Sequence, residues 1–248
     1  MTTILYEHPL NERIRSYLRL EQFFVQINEC LSIDIKTSHN TFFTALFAII
    51  DTLERNDIRG DLIKDLEKLE QNLIVWSQAP EVDTSAIEEN LNHTVSLIKK
   101  LKCSTPQWWQ LKEDKFLSSL KQRFAIQGGN SIFDLPQLQF WVSRPITETQ
   151  ADMNHWLSLL DQIKYALSLT LKFIRQKCEF ETIKTKSGFY QDSGEGLLLL
   201  RIRINAEQNF YPTVSGNRFR YSIRFMHPCE ISGRKYSEQA TSFELAKC

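Results

Sequence analysis

Near Phe180 the spacing of apolar residues in this chain changes from threes and fours to strict alternation. A repeat of about 3.6 lines one face of a helix, and a repeat of two lines one face of a strand. The order of the two periods predicts an α+β protein. An N-terminal helical bundle domain, residues 1–179, would be followed by a small antiparallel β-sheet domain, residues 180–248. The 248 residues suffice for a core without disulfide staples.

In the first part, Pro9 stands near the start of a helix running to about Leu31, striped by Tyr17, Leu20, Phe24, Ile27 and Leu31. A second helix spans about Asn40 to Leu53. A third carries Leu62, Leu66, Leu69, Leu73 and Trp76. Ser85 and Glu88 have capping-box spacing before Ile87, Leu91, Val95, Ile98 and Leu101. A shorter helix follows around Glu113 to Phe124. SIFDLPQLQFWV is open between a short helix begun at Asp134 and Pro136 and an edge strand. Thr147 and Gln150 suggest another capping box, opening the longest helix, which ends near Cys178.

In the second part, FETIKTKSGFYQDS reads as a strand entering a turn, and SGEG as a hairpin turn. EGLLLLRIRIN sets Leu200, Ile202 and Ile204 against Arg201, Arg203 and Asn205. YPTVSGN reads as a turn, HPCEISGRKYSEQAT as a loop and SFELAKC as a last strand. In RFRYSIRFM, residues 218–226, Phe219, Tyr221, Ile223 and Phe225 share one parity. Arg218, Arg220, Ser222, Arg224 and Met226 share the other. The strand therefore joins an apolar face to a row of arginines, which suits either a solvated surface or a site for an anion.

Global charge names no partner, because Lys plus Arg and Asp plus Glu are both 30. From Glu181 onward ten Lys/Arg face seven acids, a net +3, short of a strongly basic nucleic-acid binder. The N-terminus lacks the pattern of a signal peptide, and no run of about 20 apolar residues is present to span a membrane. Five scattered cysteines without a C-x-x-C pair suggest a reduced, cytosolic protein.

Little points to catalysis. His8, His39, His93, His155 and His227 stand apart, without metal-ligand spacing. GGNS lacks the Lys-Ser/Thr of a phosphate loop, and no G-x-S-x-G occurs. No catalytic residue, metal or cofactor is expected. Trp108-Trp109 can serve as core, or one can pack while the other anchors a partner.

Cations are the better lead. Arg15 and Arg19 lie one helical turn apart, roughly opposite the Tyr17/Phe24 stripe, with Glu12 on the same side. A partly self-neutralised solvated face and an anion site both fit. Arg55 and Arg59 fall at a helix end and turn. Lys115, Lys121 and Arg123 follow the tryptophan pair. Arginine suits anion binding because its planar fork grips carboxylates bidentately.

Four long words, YEHPLNERIRSYLRLE (6–21), GFYQDSGE (188–195), YPTVSGNRFRYSIRFM (211–226) and the ending FELAKC, resemble the ZapD family. Its members are bacterial cell-division proteins that associate with FtsZ, the tubulin-like protein of the division ring. The resemblance runs from the first residues to the last. It implies a cytoplasmic protein recruited to midcell and a symmetric homodimer, with the helical domain as its dimerising part. It implies binding to the C-terminal tail peptide of FtsZ, and cross-linking of FtsZ filaments into bundles that stabilise the ring, without catalysis. It implies a basic peptide site of Arg15, Arg19, Arg55, Lys115, Arg220 and Arg224. The family pattern has arginine at the place of Lys115 and histidine at that of Gln139; lysine keeps the charge but not the fork. The competing expectation is a nucleic-acid binder using the arginine-rich sheet. Against it stand the small charge excess and the parity, which sets the aromatics of RFRYSIRFM opposite its arginines.

Overall fold

The computed structural model describes residues 2–78 and 84–248. The fold is α+β, and its two compact units do not follow chain order. One comprises Arg19–Thr170, the other Met1–Leu18 together with Leu171–Cys248.

Nine α-helices are present among the described residues: α1 (Glu12–Leu31), α2 (Ile35–Arg55), α3 (Ile58–Ser77), α4 (Thr84–Leu101), α5 (Gln110–Glu113), α6 (Lys115–Phe124), α7 (Pro136–Val142), α8 (Ile146–Ser158) and α9 (Asp161–Gln176). Short polar side chains start several of them by satisfying free N–H groups of the first turn. Asn11 accepts from Ile14 N–H at 2.9 Å, and Asp34 from Lys36 N–H at 3.1 Å. Asp57 accepts from Gly60 N–H and Asp114 from Leu117 N–H, both at 3.0 Å.

The core of the helical unit is aromatic. Phe43 of α2 lies 5.3 Å from the rings of Phe42 and Trp141, and 5.9 Å from Phe47 and Trp156. Buried indoles need partners for their N–H groups. Trp141 donates to Asp152 at 2.8 Å and Trp156 to Asp114 at 3.0 Å.

Among the described residues the other unit contains eight strands: β1 (Thr3–Pro9), β2 (Glu181–Thr185), β3 (Phe189–Ser193), β4 (Leu199–Asn205), β5 (Tyr211–Gly216), β6 (Arg220–Cys229), β7 (Gly233–Tyr236) and β8 (Thr241–Lys247). They form two antiparallel sheets, in the orders β1-β4-β8-β2 and β3-β6-β5, with β7 also pairing β6. Ile202 and Ile204 of β4, Tyr221, Ile223 and Phe225 of β6, and Phe243 and Leu245 of β8 share one buried cluster. The alternation of RFRYSIRFM thus holds from Arg220 to Phe225. It fails at both ends: Phe219 precedes the strand and is exposed, and Met226 is buried.

Several elements differ from the sequence reading. The first residues do not lead into a helix: Thr3–Pro9 is a strand paired with β4, and α1 starts at Glu12. FETIKTKSGFYQDS is two strands in different sheets, and SGEG crosses between sheets instead of turning a hairpin. Gly188 permits the first crossing, since a Cβ there would lie 2.2 Å from the Ser237 carbonyl oxygen. YPTVSGN is edge strand β5, a place that tolerates Pro212. The expected loop after Met226 is a hairpin of β6 with β7.

SIFDLPQLQFWV resolves into a 3-10 turn and α7, with Pro136 in its first turn. The expected longest helix is two, α8 and α9. Their stripe of Trp156, Leu160, Ile163 and Leu167 is buried across the break, so the period conceals it. Neither capping box sits at a helix start as expected. Pro145 precedes α8 without a side-chain cap, and Ser85 falls inside α4.

Candidate functional site

Arginines that look alike in the sequence have different surroundings. In β1 and β4, Glu7 and Arg201 are cross-strand partners. Glu7 accepts from Arg201 Nε at 3.0 Å and from Arg175 Nε and Nη2 at 2.9 and 2.6 Å. All three side chains are largely shielded from solvent. Arg203 stacks over the Phe180 ring at 3.6 Å and reaches Glu244 at 3.6 Å. These cations hold the unit together.

Arg220 and Arg224 differ. They point to the same side of β6, four residues apart, which is about 13 Å along a strand. Both are exposed, and neither has a carboxylate partner among the described residues. Register sets their neighbours: Phe189, Gln191 and Ser193 of β3 lie opposite Arg224, Ser222 and Arg220, with Thr213 and Ser215 of β5 on the other side. No acid occurs in that set. The acid of β3, Asp192, has the opposite parity and is taken up by Lys247, Tyr190 and the Ser193 N–H. The Lys247 hydrogen bond, chiefly, holds the Asp192 carboxyl below its ordinary value.

The Arg224 guanidinium lies 5.0 Å from the Phe189 ring and 5.2 Å from the Tyr236 ring, both exposed. Cation–π contact fixes the group without consuming an N–H donor. The surface can therefore offer fixed guanidinium donors beside apolar rings. Sequence reasoning found the arginines but missed Phe189 and Tyr236, which strand pairing alone brings to Arg224.

The other expected site residues are spread over several elements. On α1, Arg15 bonds Glu12 at 2.9 Å, so the self-neutralised reading applies to it, whereas Arg19 is exposed with no ion-pair partner among the described residues. His8 of β1 titrates below its ordinary value because of burial and then the Arg15 charge. Arg55 closes α2 and Lys115 opens α6; both are exposed, again without a described ion-pair partner. A cation suits the last turn of a helix, so Arg55 has a local structural role as well. Lys115 faces the positive end of its helix, where it gives no such benefit.

Lys121 is committed to Asp51 and Glu54, at 2.8 and 3.0 Å, and Lys112 to Glu54 at 3.2 Å. Gln139 is exposed on α7. Trp108 is buried and Trp109 half exposed, their rings meeting edge to face at 6.3 Å. Among the described residues no group of three His, Cys, Asp or Glu could hold a metal ion, and no helix is long and apolar enough to cross a membrane.

A family model described as ZapD, cell division protein, matches residues 18–224. The cell division protein ZapD of Idiomarina loihiensis is 39% identical over 246 residues, spanning 99% of this chain and 96% of that protein. That of Shewanella sp. (strain MR-4) is 38% identical over 249 residues, covering both chains fully. That of Serratia proteamaculans is 36% identical over 246 residues, spanning 99% and 98%. With relatives of this identity from end to end, the chain belongs to the ZapD family of cell division proteins.

Proposed function

We propose that this protein is a non-enzymatic, cytoplasmic division factor that binds the C-terminal tail peptide of FtsZ at the midcell ring. As a homodimer it cross-links and bundles FtsZ filaments. Besides family membership, the observation that carries this reading is the Arg220/Arg224 face, where two exposed guanidinium groups meet no carboxylate among the described residues. Such a face suits a peptide bearing carboxylates for the guanidinium edges and apolar side chains for Phe189 and Tyr236. Arg15, Arg19, Arg55 and Lys115 are proposed as further contacts to the same partner.

A disordered tail loses entropy when it binds, so each contact is weak. A twofold dimer has two equivalent sites, and a filament displays many tails, so avidity turns weak contacts into stable bundles. The test is FtsZ bundling, followed by light scattering and sedimentation, with Arg224→Glu beside the parent. Loss of bundling by a folded variant supports the reading; bundling at the parental level removes Arg224 from it.

One observation favours a second reading. Phe189 and Tyr236 share the arginine face, so the face also offers the stacking rings of a single-stranded nucleic-acid binder. Titration with a fluorescent single-stranded oligonucleotide distinguishes the two. Binding at physiological salt that Arg224→Glu abolishes would favour nucleic acid.

A further inference from the structure

Apart from the surface proposed for the tail, the fold brings two of the five cysteines together. Cys248 continues the β4–β8 pairing: its N–H donates to the Leu199 carbonyl at 2.9 Å, and the Leu199 N–H donates back at 2.9 Å. Alternation then sets Cys248 on the same side as Ala246, whose cross-strand partner is Arg201, itself paired with Glu7. The end of α9 is fastened to that side of the sheet. Arg175 bonds Glu7, and the Arg175 carbonyl accepts from Arg201 Nη1 at 3.2 Å. Cys178 follows three residues after Arg175, and its thiol shares a hydrogen bond with the Cys248 thiol. Both thiols are free; Cys248 is buried and Cys178 half-buried. Burial, then the hydrogen bond and charge of Cys178, push the Cys248 thiol up to about 12, so it holds its proton at neutral pH.

We propose that Cys178 and Cys248 form a reversible disulfide when a disulfide oxidant such as glutathione disulfide is in excess, tying the segment after α9 to the end of the β4–β8 ladder. Exposure decides the order of events. The Cys178 thiolate attacks one sulfur of glutathione disulfide and expels one glutathione. The Cys178 contribution that holds the Cys248 proton is then gone, while the Arg201 charge, which favours the thiolate, stays. Cys248 loses its proton and attacks the Cys178 sulfur, and the second glutathione leaves and takes up a proton. The protein gives up two electrons and two protons, and glutathione disulfide becomes two glutathione thiols. Transient disulfides of this kind are the form that a reducing compartment permits.

The experiment incubates the full-length protein with glutathione disulfide, blocks the remaining thiols by alkylation in denaturant, and maps the cysteine peptides by mass spectrometry. A Cys178–Cys248 linked peptide is expected, and dithiothreitol should remove it. Cys248→Ser should instead trap glutathione on Cys178, and Cys178→Ser should leave Cys248 open to alkylation. The linkage closes a long loop of chain, so oxidised parent should melt about 5 °C or more above reduced parent, a shift absent from Cys178→Ser. Parent protein that keeps glutathione on Cys178 while Cys248 is still alkylated, or that links either cysteine to a different partner, would overturn the pair.

Discussion

Arg224 sets its charge against two aromatic rings, a contact that consumes no N–H donor, so under the proposed function its loss should affect binding more than folding. Arg224→Glu is expected to weaken FtsZ-tail binding at least tenfold. Its stability should change by under about 1 kcal/mol, the scale of exposed cation–π contacts. Glu7 represents the opposite case, because it sits between two shielded guanidinium groups. Glu7→Gln is expected to destabilise the protein by roughly 2 kcal/mol, measured by denaturant unfolding, since charged hydrogen bonds are lost and the two cations stay close. His8 adds a pH dependence. Its folded pKa lies below the ordinary value of 6.5, through burial and the Arg15 charge. Between the two values the unfolded chain binds more protons, so stability rises with pH there. The melting temperature should therefore fall as the pH drops below about 6.5, and His8→Gln should flatten that fall.

Among the elements, α6 relies on one residue for two contacts. Asp114 caps its first turn and also accepts from the buried Trp156 indole. Asp114→Ala should cost about 2 kcal/mol, the upper end for a cap, because the indole donor is orphaned too. Calorimetry with Trp156→Phe as the paired variant would separate the two contributions. Helices α1 to α4 and α6 were legible from the sequence because their stripes repeat over several turns, whereas the break between α8 and α9 was not, because one stripe runs across it. β1 was not, because a seven-residue strand that ends at Pro9 carries no stripe and gains its identity by pairing with β4, far along the chain. β7 is four exposed residues that only the β6 edge makes into a strand. The candidate surface was half legible for the same reason. Alternation placed Arg220 and Arg224 on one side, while Phe189 and Tyr236 reach Arg224 through register, which no local pattern encodes.

For the whole molecule, the proposed bundling requires that one dimer hold two tails. A mixed dimer of parent and Arg224→Glu protomers should bind FtsZ yet fail to bundle it, so excess variant should inhibit bundling by the parent. Sedimentation of FtsZ with defined mixtures checks this. The most direct measurement is the binding of a fluorescent FtsZ C-terminal peptide to parent protein and to Arg220→Glu/Arg224→Glu, at low salt and at about 0.15 M, where screening acts over about 8 Å. The expected result is saturable parental binding that weakens with salt, and its loss in a variant that stays folded. Equal binding by both proteins, or none by the folded parent at either salt, would contradict the assignment of the arginine face to the FtsZ tail.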